Sequence, residues 1–340
     1  MTNKLSSNGV LLRRAYQGIS QLGIDADDVF RRCGFAEPFE STIYVSREDQ
    51  LERHGIFWPV LADVSGDPCI GLHLGEKVPV MSGEITEYLF MSSPNFQEGL
   101  LRSAKYTRLI SDLFHMQVEF DGDPCVISYN IPGIELATLD QVYPCVMVSN
   151  MRFFSQLTLG EFKPTLVRLT NTDSSNALEY ERVFQCPVEF SAPVNCMCFA
   201  QETLQVSSLH ADSNMFVMHE KMADEQILRL EKQELLARAR RVIGGSLETG
   251  EVSLESLAAR LGMKSSRLRA HFTELDTSFN QVLSDYRFEL ARKLLTQTDE
   301  SIDQIVYLTG FSEPSTFYRA FKRWTGTTPI VYREQAKAGA

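Results

Sequence analysis

The stretch PSTFYRAFKRWTG carries Arg319, Lys322 and Arg323 at spacings of three and four. On an α-helix those spacings bring the three cations to one face, while Phe317, Phe321 and Trp324 line another. Cations set over an aromatic anchor suit attraction to phosphate rather than the making or breaking of bonds.

Other residue types that do chemistry are present, but without the spacing that chemistry needs. Cys196 and Cys198 in NCMCF would point to one face of a strand, as a metal or redox pair would, yet no second pair and no nearby His completes a site. All seven cysteines (Cys33, Cys69, Cys125, Cys145, Cys186, Cys196, Cys198) precede residue 199, and most sit among apolar residues. Their odd number and apolar settings argue for reduced, buried thiols. The six histidines (His54, His73, His115, His210, His219, His271) are dispersed, and no G-x-S-x-G, Walker A, H-E-x-x-H or C-x-x-C pattern occurs. The expectation is therefore no enzyme, no metal and no cofactor.

The basic stripe belongs to a repeat. Laying SLESLAARLGM over SIDQIVYLTGF matches Leu254 with Ile302, Leu257 with Ile305 and Gly262 with Gly310 at an offset of 48. Beyond the turn the offset becomes 49, pairing Leu268 with Phe317, Phe272 with Phe321 and Leu275 with Trp324. Each copy is a short amphipathic helix, a glycine where the chain reverses, and a second amphipathic helix, the pattern of a helix-turn-helix. Ser301 with Gln304 reads as a capping box, and Ser312 as an N-cap ahead of Pro314. Between the copies, residues 280–297 predict a helix about 27 Å long, a rod able to hold two reading helices near the roughly 34 Å of one DNA turn.

The rest of the chain reads differently. Of 340 residues, 44% are hydrophobic and 23% charged, a composition for about two globular domains. Residues 235–340 hold 15 Lys+Arg against 12 Asp+Glu, and the first 234 hold 18 against 32. An acidic front is repelled by phosphate, whereas the tail can be attracted to it. In the front, residues 11–23 and 25–34 predict short helices and 94–114 a longer one opened by its proline. QVEF-DGDP-CVISYNI predicts a hairpin; TLVRLT, CPVEFS and NCMCFA predict further strands. Residues 215–243 are helical and charged, a linker helix, a dimerisation helix or both, and GGSLETGE marks a boundary. The resulting expectation is an α+β domain over 1–205, a helical linker over 206–245, and an all-α double helix-turn-helix domain over 246–340. The N-terminus lacks the apolar core of a signal peptide and no run of roughly 18 apolar residues occurs, so a cytoplasmic protein with no membrane partner is expected.

The tail resembles the C-terminal double helix-turn-helix domain of the AraC/XylS family of bacterial transcription regulators, through LESLAARLGMKSSRLRAHF, SIDQIVYLTGFSEPSTFYRAFKRWTGTTPIVYR and the spacer YRFELARKLL. The front resembles the arabinose-binding-type N-terminal domain of one branch, through SGEITEYLFMSSPNFQEGLLRSAKYTRLIS and ALEYERVFQCPVEFSAPVN. The resemblance implies that Ser266, Arg269 and Ala270 in the first copy, and Ser315, Tyr318 and Arg319 in the second, face base edges in the major groove. Arg269 and Arg319 are the candidates for bidentate contacts to guanine, while Ala270 can offer a thymine methyl only apolar contact. Lys264, Arg267, Arg287, Thr316, Lys322 and Arg323 are expected on or near phosphates.

By the same resemblance the partners are promoter DNA, a small-molecule effector, a second copy of the chain and, for an activator, RNA polymerase. The competing expectation is a DNA-bound regulator with no effector, controlled by a protein partner or by abundance. The sequence designates no ligand-binding residues. Phe90, Tyr106, Phe114, Phe153 and Phe154 could line a cavity, but a filled core is the expectation.

Overall fold

The computed structural model describes residues 7–35, 47–111, 113–131, 140–247 and 252–338, and the chain divides into two compact units, 1–230 and 231–340. The first unit opens with helices α1 (Ser7–Gln21), α2 (Ala26–Arg32), α3 (Arg47–Ser65), α4 (Ile70–Lys77), α5 (Ile85–Ser92) and α6 (Phe96–Tyr106). Strands β1 (His115–Glu119) and β2 (Cys125–Asn130) follow, then α7 (Val142–Leu157), β3 (Pro164–Arg168), α8 (Ala177–Phe184), β4 (Val188–Glu189) and β5 (Asn195–Phe199). The α+β architecture and every predicted strand are present.

The five strands form one sheet in the order β1-β2-β5-β3-β4, antiparallel except between β3 and β4. Edge strand β1 alternates exposed and half-buried residues, whereas central β5 is buried at all five positions. Such a two-sided strand needs an apolar run, which residues 196–199 supply, while the buried Asn195 oxygen accepts the Thr170 N–H at 2.9 Å. Cys196 and Cys198 therefore sit as free thiols in the interior. Beneath the sheet, Phe96, Phe154, Phe162 and Phe199 interlock with ring centroids 5.2 to 5.9 Å apart, a spacing favourable for offset and edge contacts. Helix α6 is capped by Asn95, which accepts the Glu98 N–H at 2.9 Å, so Pro94 stands just outside the helix it was expected to open.

Helix α9 (Ser213–Gly244) is shared. Its first half docks on α5 and α6: Ala223 joins Ile85, Leu89, Tyr106 and Leu109 in a small core, and the Tyr106 hydroxyl donates to Asp224 at 2.6 Å. Its second half belongs to the other unit, where Ala239 and Ile243 enter a core with residues of α10 (Leu254–Arg260), α11 (Ser265–Glu274) and α12 (Phe279–Gln297). The segment expected as a linker thus contributes to two cores, one on each side of residue 230.

The second unit is helical throughout its described residues and ends with α13 (Ile302–Leu308), α14 (Pro314–Thr325) and α15 (Pro329–Ala338). Two separate cores sit at opposite ends of α12. Val282 near its start packs with Leu257, Leu268 and Phe272, and Ala291 and Leu295 near its end pack with Ile305, Phe317 and Phe321. The spacer expected from the repeat is therefore a helix of 19 residues, about 28 Å long, that is built into both modules.

Candidate nucleic-acid interface and ligand cavity

Two helix pairs present the basic residues. In the first, Ser253 and Ser256 form a reciprocal cap at the start of α10, the two hydrogen bonds both 3.1 Å. In the second, Ser301 accepts the Gln304 N–H at 3.1 Å, but the Gln304 side chain returns no bond among the described residues, so only half of the expected box forms. The turns reverse at Gly262 and Gly310, with φ of +72° and +70°, a region that costs other residues about 1–2 kcal/mol. At Gly310 a Cβ would also lie 2.9 Å from Leu247 Cδ2 and 3.1 Å from the Leu247 backbone oxygen, so a side chain there would have to displace Leu247 as well. The second turn carries one extra residue, five between α13 and α14 against four between α10 and α11.

The start of α14 corrects an expectation. Its N-cap is Glu313, extended at φ −138°, and not Ser312. Proline suits the first helical position and forces the preceding residue out of the helical region, which makes the neighbour of Pro314 the cap.

Leu268 and Phe272 on α11, like Phe317 and Phe321 on α14, are buried to within 1%. Helical geometry then turns the opposite face outward. Lys264, Ser266, Arg267, Arg269 and Ala270 are exposed on the first pair, and Ser315, Thr316, Arg319, Lys322 and Arg323 on the second. Tyr318 is half-buried, its ring edge-on to Phe317 at 6.1 Å. Among the described residues, the side chains of Arg267, Arg269, Lys322 and Arg323 have no hydrogen-bond or ion-pair partner, leaving their donors available.

Arg287 is placed differently from the other phosphate candidates. Its Nη2 donates to the Gly310 carbonyl at 2.7 Å and its guanidinium stacks over Phe311 at 4.6 Å. Burial lowers its pKa, the opposite of what a solvated or phosphate-paired guanidinium shows. The residue braces α12 against the turn of the second pair. Trp324 does the same from α14, donating its indole N–H to Ser284 at 3.0 Å.

In the first unit lies a cavity of about 270 Å³ walled by α1, α3, α4, α5, α6, α7 and the hairpin. Of the five aromatics considered, Phe114, Phe153 and Phe154 line it, whereas Phe90 and Tyr106 pack into solid core. Its polar residues include Arg14, Arg53, His54, Thr86 and Glu87, none of which was singled out in the sequence. Arg14 donates to the Pro79 carbonyl at 2.7 Å with Glu87 3.8 Å away, and burial lowers its pKa. A histidine four residues before a tryptophan, in RHGIFW, was the available signal: Trp58 Nε1 donates to His54 Nδ1 at 3.1 Å. Among the described residues no cluster of His, Cys, Asp and Glu could hold a metal, and no helix is long and apolar enough to cross a membrane.

Comparison with known proteins places both units. Residues 23–207 match the family model described as the arabinose-binding domain of AraC transcription regulator, N-terminal, and residues 257–335 match a helix-turn-helix domain. The chain is 28% identical to the ornithine utilization regulator of Pseudomonas aeruginosa over 79% of each chain. It is 33% identical to the transcriptional activator NphR of Rhodococcus sp. over 33% of each. The solved structure of the transcriptional regulator CdpR from Pseudomonas aeruginosa is similar at 19% identity and a TM-score of 0.46, covering 91% of this chain and 96% of that one. The matched domains and relatives are transcription regulators and not enzymes.

Proposed function

The chain belongs to the AraC family of transcription regulators, with an arabinose-binding-type N-terminal domain and a DNA-binding helix-turn-helix domain, and on that premise we propose that it is an effector-controlled activator acting as a homodimer at promoters. The observation that carries this reading is the pair of exposed basic faces on α11 and α14, on which Arg267, Arg269, Lys322 and Arg323 have no partner among the described residues and Arg319 donates only to Thr316, at 3.4 Å, each face seated by its own core on one continuous helix. Arg269 and Arg319 read bases, with Ser266, Ala270, Ser315 and Tyr318 shaping the fit. Lys264, Arg267, Thr316, Lys322 and Arg323 hold the sugar-phosphate backbone, where contacts give affinity without sequence information.

The cavity supports an effector. A ligand bound there shifts the protein toward whichever presentation of its DNA-binding domains it prefers, and by no more than that preference. Pairing of two chains is supported by α9, which exposes Met215, Val217, Met218 and Leu228. Activation, and with it contact to RNA polymerase, is supported by the likeness, over 112 residues, to a transcriptional activator of Rhodococcus sp.. The site of action is the cytoplasmic nucleoid.

The test is selection of genomic fragments by the purified full-length protein, beside the Arg269→Ala/Arg319→Ala double variant, at two salt concentrations. A short motif upstream of a few genes, enriched by the native chain and lost in the variant, is expected. Retention of the same motif by the double variant would transfer base reading to other residues, and no enrichment at either salt, with or without cell extract, would overturn the regulator reading.

A further inference from the structure

The cavity is where the proposed effector would sit, and the inference about its chemistry rests on that reading. The polar groups of the wall divide into those already committed and those still free. Glu87, the one carboxylate among the described lining residues, is engaged by the N–H groups of Ser82, Gly83 and Glu84 at 2.8 to 3.2 Å. Thr107 and Ser149 donate their hydroxyls to the Ser103 and Cys145 carbonyls, both at 2.7 Å, and Asn150 donates to the Tyr129 hydroxyl.

Beside the Ser103 hydroxyl, which also has no partner among the described residues, three groups stay uncommitted. Arg53, half-buried on α3, has no hydrogen-bond or ion-pair partner among the described residues. Beside it, His54 accepts the Trp58 indole N–H through Nδ1, so the ring proton must sit on Nε2, which is a donor without a partner among the described residues. Burial pushes the His54 pKa down to about 4 and keeps the ring neutral. Thr86 Oγ1 is buried and makes no hydrogen bond among the described residues. The rest of the wall is dominated by Phe57, Trp58, Phe114, Val146 and Phe153.

We propose that this cavity takes a small carboxylic acid with an aliphatic or aryl body, its carboxylate held by the Arg53 guanidinium and the His54 Nε2–H. Two of the free groups, Arg53 and the His54 Nε2–H, can only donate, and one of them is a cation without a counter-charge, which is what a carboxylate satisfies. A sugar would bring no charge to answer the Arg53 guanidinium. A diamino acid would bring ammonium groups to a site with no free carboxylate. At about 270 Å³, beside roughly 300–1,000 Å³ for drug-sized pockets, the space suits a small metabolite.

The experiment is calorimetric titration of the full-length protein with octanoate, 3-phenylpropanoate, the primary amides of both, L-arabinose and L-ornithine. At least one acid is expected to bind about tenfold or more tightly than its amide, the difference made by a charge-assisted pair. Arg53→Met should bring acid and amide to near equality, and Arg53→Lys should restore part of the preference, with thermal melting of each variant confirming the fold. The inference falls if neither acid binds, if the amide binds as tightly as its acid, or if the preference survives in folded Arg53→Met. The acid-amide comparison on the unaltered protein decides even where a variant does not fold. Retention of DNA, measured with each probe and with the small-molecule fraction of cell extract, separates the two readings. A shift caused by a sugar, an amine or the extract alone leaves an effector-controlled regulator with another ligand class; no shift with any of them removes the effector as well.

Discussion

The two helix-turn-helix copies share one frame but are anchored and charged differently. In the first, α11 is seated by Leu268 and Phe272 and carries Arg267 and Arg269 within its first half, while its last turn pairs His271 with Glu274 at 3.7 Å. In the second, α14 is seated by Phe317, Phe321 and Trp324, with Phe311, Phe288 and Tyr332 around them, and its cations Lys322 and Arg323 lie in its last turn. The positions equivalent to Lys322 and Arg323 in the first copy are Thr273 and Glu274. On the proposed roles each copy reads with one arginine, Arg269 or Arg319, and the second adds at its last turn a grip that the first lacks, on a helix held by the heavier aromatic core.

The strongest way to break that comparison is to empty the second core. Phe321→Ala should cost about 3–5 kcal/mol of stability, as expected for a fully buried aromatic, and thermal melting should show it together with loss of DNA retention. Survival of specific binding in that variant would mean that the first copy suffices.

Next in size are the reading residues. Arg269→Ala and Arg319→Ala should each reduce discrimination between specific and altered sites by about 1–3 kcal/mol, measured by competition binding, each at a different part of the motif. Equal effects at the same base pair would contradict two separate half-sites.

The turns sharpen the comparison further. Gly262→Ala should cost about 1–2 kcal/mol through its positive φ. Gly310→Ala should cost more, because the added methyl also meets Leu247. Denaturant unfolding would detect the order, and equal costs would show that Leu247 yields easily.

The smallest effect per residue is expected from the distal cations. Lys322→Ala with Arg323→Ala should weaken binding to all sequences alike and reduce the salt slope by about 0.9 for each phosphate that is no longer neutralised. A selective loss at one sequence would make them readers and abolish the added grip.

Much of the second unit was legible because its determinants are local. Helical period, turn glycines and the matched frame of Leu268 with Phe317 and Phe272 with Phe321 lie within short windows, and each residue's side of its helix follows from them. The same rule gives little on α4, a helix of eight residues whose polar side is only His73, Glu76 and Lys77. Nor could any window reveal that Arg287 would spend its charge on the Gly310 carbonyl, or that α9 would serve two cores.

The sequence by itself determined the two modules, their spacer and which face of each reading helix turns outward, since these depend on neighbours three and four residues apart. Tertiary structure alone decided which of the basic residues stay free and where a cavity opens. A cavity wall gathers Arg53, Thr86 and Phe153 from three separate helices and Phe114 from just before β1, and whether their side chains meet or leave space depends on the packing of all of them together.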